Sequence, residues 1–258
     1  MTKTLAAALA LALAGGVAAA GDLAEIKARG VLKVIAQKDE APEMYSQAPT
    51  GDPGFEREMV EGFARLHGLK ITTVAVDNSG ERIPALQRGA GDVIIGIVDT
   101  SERRKLVDFT SEVIPARHIV ISYKKPIETL ADFKAAKVGV VKGTSWARAA
   151  VEAGIPADAM ESFGDRNVML EALKEGRITA SVMTISDFTL AARKNPGVVG
   201  GLLLGEPGSA SFAVRKSDAQ LLQALNDYLG NFRKSPSWNR LVVKYFGESA
   251  LAVLGRKN

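Results

Sequence analysis

The sequence predicts an α/β fold of two lobes with a ligand cleft between them. Three observations carry that expectation. Apolar runs of strand length alternate with helical periodicity along most of the chain, as in a parallel or mixed sheet covered by helices. Two stretches, "ALQRGAGDVIIGIV" (85–98) and "ALKEGRITASVMTI" (172–185), align without a gap at Ala, Leu and Gly. Each runs from a helix end through Gly into an apolar strand, so the echo is either chance or a repeated α/β unit. Finally, "GDVIIGIVDTSERRKLVDFT" (91–110) passes from a core strand into dense charge. That is expected where the strand ends of an open sheet border a cleft.

The elements follow in order. Val31–Ala36 reads as a strand, and Gly54–His67 as a helix with Phe55, Met59, Phe63 and Leu66 on one face. Leu69–Val76 is a strand, Arg82–Arg88 a short helix, and Asp92–Val98 a strand apolar enough to be buried on both faces. His118–Tyr123 (strand), Ile127–Ala135 (short helix) and Lys137–Val141 (strand) come next. Helical patterns cover Ser145–Ala153, Val168–Glu175 and Ser186–Arg193, with strands near Ser181–Met183 and Ala210–Val214. The chain ends in two helices, Leu221–Phe232 and Trp238–Phe246.

Composition bounds the function. The 258 residues are 47% hydrophobic and 24% charged, an ordinary globular balance with enough apolar content for one or two cores. Residues 1–20 differ: Lys3 is their one charge, an apolar run follows from Leu5, and small residues stand at Ala18 and Ala20. This pattern reads as a signal peptide cleaved near Ala20, so the mature protein is expected to be exported, periplasmic or secreted. The run is too short to span a bilayer comfortably. With no cysteine, the chain has no disulfide, no Cys-ligated metal and no lipidation through Cys. Without Lys3, 32 basic residues face 29 acidic ones, a net of +3. That mild excess suits a small anionic ligand and gives no reason to invoke nucleic acid.

Catalytic signatures are missing from the pattern. His67 and His118 stand alone, away from any metal-ligand spacing, so neither a metal nor a cofactor is expected. There is no nucleophile elbow, phosphate loop or dinucleotide fingerprint, and no catalytic residue is assigned. Anion binding has better support. In "KVGVVKGTSWARAA" (137–150) a strand and Gly turn lead to Thr144 and Ser145 at a helix N-terminus. That position is either a plain cap or an anion site. Arg103 lies just beyond a strand's C-terminal end and is either a solvated charge or one jaw of a carboxylate clamp.

The chain resembles, end to end, the family 3 extracellular solute-binding proteins, the amino-acid-type receptors of ABC importers. The segments that carry the likeness are "GFEREMVEGFARLHG", "IPALQRGAGDVIIGIVDTSERRKLVDFT", "VGVVKGTSWARA", "ALKEGRITASVM" and "FAVRKSDAQLLQALNDYLGNFRKSPSWNRLVVKYFG". The resemblance implies a two-lobe periplasmic binding protein-like (type II) fold, with lobe 1 at 22–115 and 213–258 and lobe 2 at 118–208. Crossings would fall near 116–118 and 208–212. It implies that Arg103 grips a ligand α-carboxylate, helped by Thr144 and Ser145, with Gly96 and Val98 on the approaching strand.

Departures from the family pattern are as informative. Val98 stands where a Ser or Thr is usual, Glu40 and Ser79 replace the aromatic walls, and Thr184 replaces the Asp that pairs with an α-ammonium. Asp187 comes three residues late and would need a local shift to substitute. Glu40 and Glu43 either supply the missing anion or belong to loop surface, and Trp146 either forms a wall or packs its helix. The implied function is a monomeric receptor, not an enzyme. It would capture a small polar carboxylate, an amino acid or a related compound, for the membrane permease of an ABC importer. The alternatives are an enzyme on the same scaffold, such as a cyclohexadienyl dehydratase, and a sensory ligand-binding module.

Overall fold

The computed structural model describes residues 22–254, and the signal-peptide expectation for 1–20 lies outside them. The first half comprises α1 (Leu23–Arg29), β1 (Val31–Gln37), α2 (Pro42–Tyr45), α3 (Phe55–Leu66), β2 (Lys70–Val76), α4 (Arg82–Gln87), β3 (Val93–Val98), α5 (Ser101–Arg104) and β4 (Asp108–Phe109). Then come β5 (Ile114–Tyr123), α6 (Leu130–Ala135), β6 (Val138–Val141), α7 (Ser145–Glu152), β7 (Glu161–Phe163), α8 (Arg166–Lys174), β8 (Ala180–Thr184) and α9 (Ile185–Lys194). A long β9 (Val198–Val214) returns the chain to the first half, which α10 (Ala219–Lys234), α11 (Pro236–Phe246) and α12 (Leu251–Leu254) complete.

The strands form one mixed sheet in the order β2-β1-β3-β9-β5-β8-β6-β7, with β4 also paired to β9. β1 runs parallel to β2 and β3, and β6 runs parallel to β7 and β8. Buried residues gather on each side of the ribbon that β5 and β9 make in the middle. One core packs Phe55, Met59 and Phe63 of α3 with Leu225, Leu229 and Trp238 of the C-terminal helices against β1 and β3. Phe55 meets Trp238 edge-on at 5.7 Å. The other core holds Phe133, Trp146, Met169 and Val182. Along β3, Val93 and Ile95 belong to the first core while Ile94 and Ile97 belong to a smaller cluster with Ile83 and Leu86. The strand is therefore covered on both faces, the physical reason for its unbroken apolar run.

The sequence echo has the same local build at both places. Gly89 and Gly176 close their helices with φ of 76° and 77°. Their N–H groups donate to Leu86 O and Leu173 O, and the next residues donate to Ala85 O and Ala172 O. A left-handed residue at a helix end takes glycine at least cost, and the following strand starts four residues later in both copies, at Val93 and Ala180.

The central ribbon departs from the sequence reading. The strand expected at Ala210–Val214 extends back to Val198, and the one expected from His118 begins at Ile114. Gly200, Gly201, Gly205, Pro207 and Gly208 argue against a strand by local preference. Pairing with β5 from Tyr123↔Val198 to Ile114↔Ala210, with register shifts on the way, overrides that preference. The single turns α2 and α5 and the short strands β4 and β7 carry too little periodicity to be read from sequence.

Candidate functional site

Strand ends build the site. β3 runs out at Val98 and the chain turns at once into α5, where Thr100 Oγ1 accepts from Arg103 N at 3.3 Å as the cap. Arg103 is thereby fixed one turn past the strand. Its Nη1 donates to Val98 O at 2.7 Å, and it forms no ion pair among the described residues. Burial, followed by the charges of Arg82 and Arg148, pulls its pKa down to about 10, so it remains a cation at neutral pH.

Opposite stands the turn after β6. Thr144 caps α7, with Oγ1 donating to Val141 O at 2.7 Å and accepting from Ala147 N at 3.4 Å. The N–H groups of the first turn of this eight-residue helix have no partner within the helix itself, and its positive dipole end faces the same space. His118 Nε2 lies 3.0 Å from Ser145 Oγ and orients it. Burial pushes the His118 pKa down, which favours the neutral ring.

Arg103, Thr144, Ser145, Trp146, Gly96, Val98, Glu40, Ser79, Thr184 and Asp187, the ten candidates from the sequence, all border one cavity of about 80 Å³. Trp146 is 7% exposed and belongs to the second core while also lining the cavity. Its side chain thus packs the core and also borders the cavity. Asp187 lies in the first turn of α9, donates its N–H to the Thr184 cap, accepts from Thr184 Oγ1, and lines the cavity beside Thr184. Glu43 is elsewhere, paired with Lys194 at 2.7 Å outside the cavity lining.

The lining residues that escaped the sequence reading include four charged ones, Asp39, Glu56, Arg82 and Arg166. Glu56 sits in the first turn of α3, where an acid is ordinary, yet it is 1% exposed. Burial, then the charge of Glu40, raises its pKa well above the usual carboxylate value, and burial also raises Glu40. Arg82 is 6% exposed at the start of α4, and burial lowers its pKa. A signal for Glu56 was present in Gly96. A glycine inside a buried strand marks close approach of another group, and a Cβ at Gly96 would stand 2.5 Å from Glu56 Oε2.

Contacts tie the two walls together above the cavity. Arg166 Nη2 donates to Asp39 O at 2.9 Å, and Arg148 pairs with Glu102. A Cβ at Gly143 would lie 3.0 Å from Gly80 N, so the turn after β6 touches the segment before α4 backbone to backbone.

The model of the bacterial extracellular solute-binding proteins, family 3, matches residues 32–248. The chain belongs to that family. Its fold is the one found in the family's solved amino-acid-binding members. A mutant of the arginine-binding protein ArgBP from T. maritima superposes with a TM-score of 0.78 at 28% identity, covering 87% of this chain and 99% of that one. An ancestral amino-acid-binding protein, described as a precursor of cyclohexadienyl dehydratase, gives 0.74 at 27% identity, over 86% and 98%. Among curated relatives, the membrane-bound lytic murein transglycosylase F of Pseudomonas putida is 30% identical over 254 residues, 94% of this chain and 52% of the relative. The chain spans about half the length of the curated relatives it matches. No helix among the described residues is long and apolar enough to cross a membrane.

Proposed function

We propose that this family 3 protein is a periplasmic receptor that captures a small polar carboxylate, an amino acid or a related compound, and delivers it as a monomer to the permease of an ABC importer. The observation that carries this reading is Arg103 facing the Thr144–Ser145 turn across a cavity bordered by both halves of the molecule. A guanidinium fork and a helix N-terminus grip one carboxylate from two sides, and those contacts are complete only when the walls are together. The arginine-binding structural neighbours support the amino-acid class.

Calorimetry with amino acids, amines and small organic acids tests this. Carboxylates should bind the protein, and the same compounds with the carboxylate amidated should not. Binding that ignores the carboxylate would end the reading.

A second reading, chemistry or sensing on the same scaffold, has its own support. Glu56 is a cavity acid with a raised pKa, one neighbour is a dehydratase precursor, and the curated relatives are named as murein-processing enzymes. Ligand recovered unchanged by NMR after long incubation favours the receptor, and its conversion favours the enzyme. Soluble murein fragments as the tightest ligands would favour the sensing module.

A further inference from the structure

Four acids and three arginines line the cavity, and they are unevenly matched. Asp187 faces Arg166 at 3.5 Å, and Asp39 receives a bond from Gln37 Nε2 at 3.1 Å. Glu40 and Glu56 are different. Neither oxygen of Glu56 has a hydrogen-bond partner, nor does the buried Oε2 of Glu40. The nearby cation does not answer them: Arg82 Nη2 donates to Ser79 Oγ at 2.7 Å, Nη1 to Ile95 O at 3.3 Å, and Nε to nothing. β3 also bends to hold this arrangement, with Gly96 at φ 50° and bare against the Glu56 carboxyl. A buried carboxyl without a donor is costly, and a fold that clears space for one is keeping a place for a partner that it lacks when empty.

We propose that Glu40 and Glu56 form a cation subsite opposite Arg103, so that the ligand is a zwitterion carrying its ammonium or guanidinium apart from its carboxylate. The proposal rests on the carboxylate reading of Arg103 above.

The subsite also sets a proton signature. The groups facing Glu56 are Glu40, from the loop after β1, Arg82, from α4, and Asp187, from α9. Burial and the like charges of Glu40 and Asp187 outweigh Arg82 and keep the Glu56 proton on above its ordinary value of 4.5. In the empty cavity that proton stands in for the cation. A ligand cation displaces it, so binding releases a proton and tightens as pH rises, by up to about tenfold per unit, until Glu56 is ionised in the empty protein. A plain carboxylate would do the opposite and take a proton up.

Calorimetry in buffers of different ionisation enthalpy, from pH 5 to 8, reads both effects. The probes are three near-isosteric pairs: L-arginine with L-citrulline, L-ornithine with L-norleucine, and 4-aminobutanoate with pentanoate. At least one cationic member should bind at least about thirtyfold tighter than its neutral counterpart at pH 8, with proton release at the pH values where its affinity is still rising. Glu56→Gln should erase that preference and the pH slope without lowering the thermal midpoint. Neutral members binding equally well, or with proton uptake, would overturn the cation subsite and leave the carboxylate reading standing. No binding by any of the six would overturn both.

Discussion

Two buried charge clusters occupy opposite ends of β3, and they are treated in opposite ways. At the start of the strand, Asp92 is fully buried and accepts from Arg29 Nη2 at 2.5 Å and from Lys33 N at 2.7 Å. Arg215 stands behind it, donating to Gly91 O at 2.6 Å and Leu86 O at 3.1 Å and pairing with Asp218 at 2.6 Å. The carboxyl oxygens of this cluster that lack a hydrogen bond, Asp92 Oδ1 and Asp218 Oδ2, still have Arg215 Nη2 within 3.9 Å and 2.6 Å. At the far end Glu56 and Arg82 are nearly as deeply set, with Glu40 half-buried beside them, and neither oxygen of Glu56 has a donor or an ion pair. The first cluster ties the end of a helix, two strands and the start of α10 into one body. The second spends stability to keep charge available. Buried charge with partners is architecture, and buried charge without them in a cavity wall marks a place where a ligand completes the set.

The largest effect that would sharpen this contrast is at Asp92. Asp92→Ala leaves Arg29 without its anion and Arg215 with Asp218 alone, and breaking a buried pair typically costs about 3–5 kcal/mol. Chemical denaturation should show that loss, while the ligand affinity of the folded fraction stays unchanged. Arg103→Ala should reverse the pattern. Stability should move little, and affinity should fall at least about thirtyfold, as expected from the roughly 2–5 kcal/mol lost with one partner of a desolvated charged contact. An unchanged dissociation constant would make Arg103 a surface charge.

Glu56→Gln is expected to act on stability through pH. The folded carboxyl stays protonated above 4.5, where the unfolded one ionises, so ligand-free protein loses stability as pH rises from there. The Gln variant should therefore melt higher than the parent at pH 7 to 8 and about equally at pH 4. A variant that melts lower at every pH would mean Glu56 has a hidden partner. The smallest effect belongs to the exposed Arg148–Glu102 pair that bridges the cleft. Arg148→Ala should change affinity less than about fivefold, with any change fading in high salt.

Much of the site was legible because it is built from strand ends. Arg103 and the Thr144–Ser145 turn follow apolar runs directly, and in an open α/β sheet that position alone points to the ligand edge. Glu56 and Arg82 were harder to read, because each sits where a bland account suffices. An acid in the first turn of α3 complements the helix dipole, which masks two pointers to burial: Gly96, and a place three, four and seven residues before Met59, Val60 and Phe63. Arg82 gives a faint hint, since a cation opening a helix is unfavourable unless something else holds it. Asp187 looked displaced in a linear alignment, but one helical turn carries it to the face that Thr184 caps. The long β9 was hidden for a similar reason: its glycines and Pro207 describe a loop locally, and only the antiparallel partner makes them a strand.

That partner has a mechanical consequence. Both chain crossings between the halves lie inside β5 and β9, which are hydrogen-bonded to each other on either side of the crossing, at Ile114↔Ala210 and His118↔Leu204. Two independent threads would let the halves slide, tilt and swivel. A laced two-stranded strap resists shear in its own plane and yields mainly by torsion and bending, most easily at the register shift between Ala116 and His118, where the lacing is interrupted. Any motion of one half against the other is therefore expected to be a torsion at that interruption, limited on the closed side by the close approach of Gly143 to Gly80.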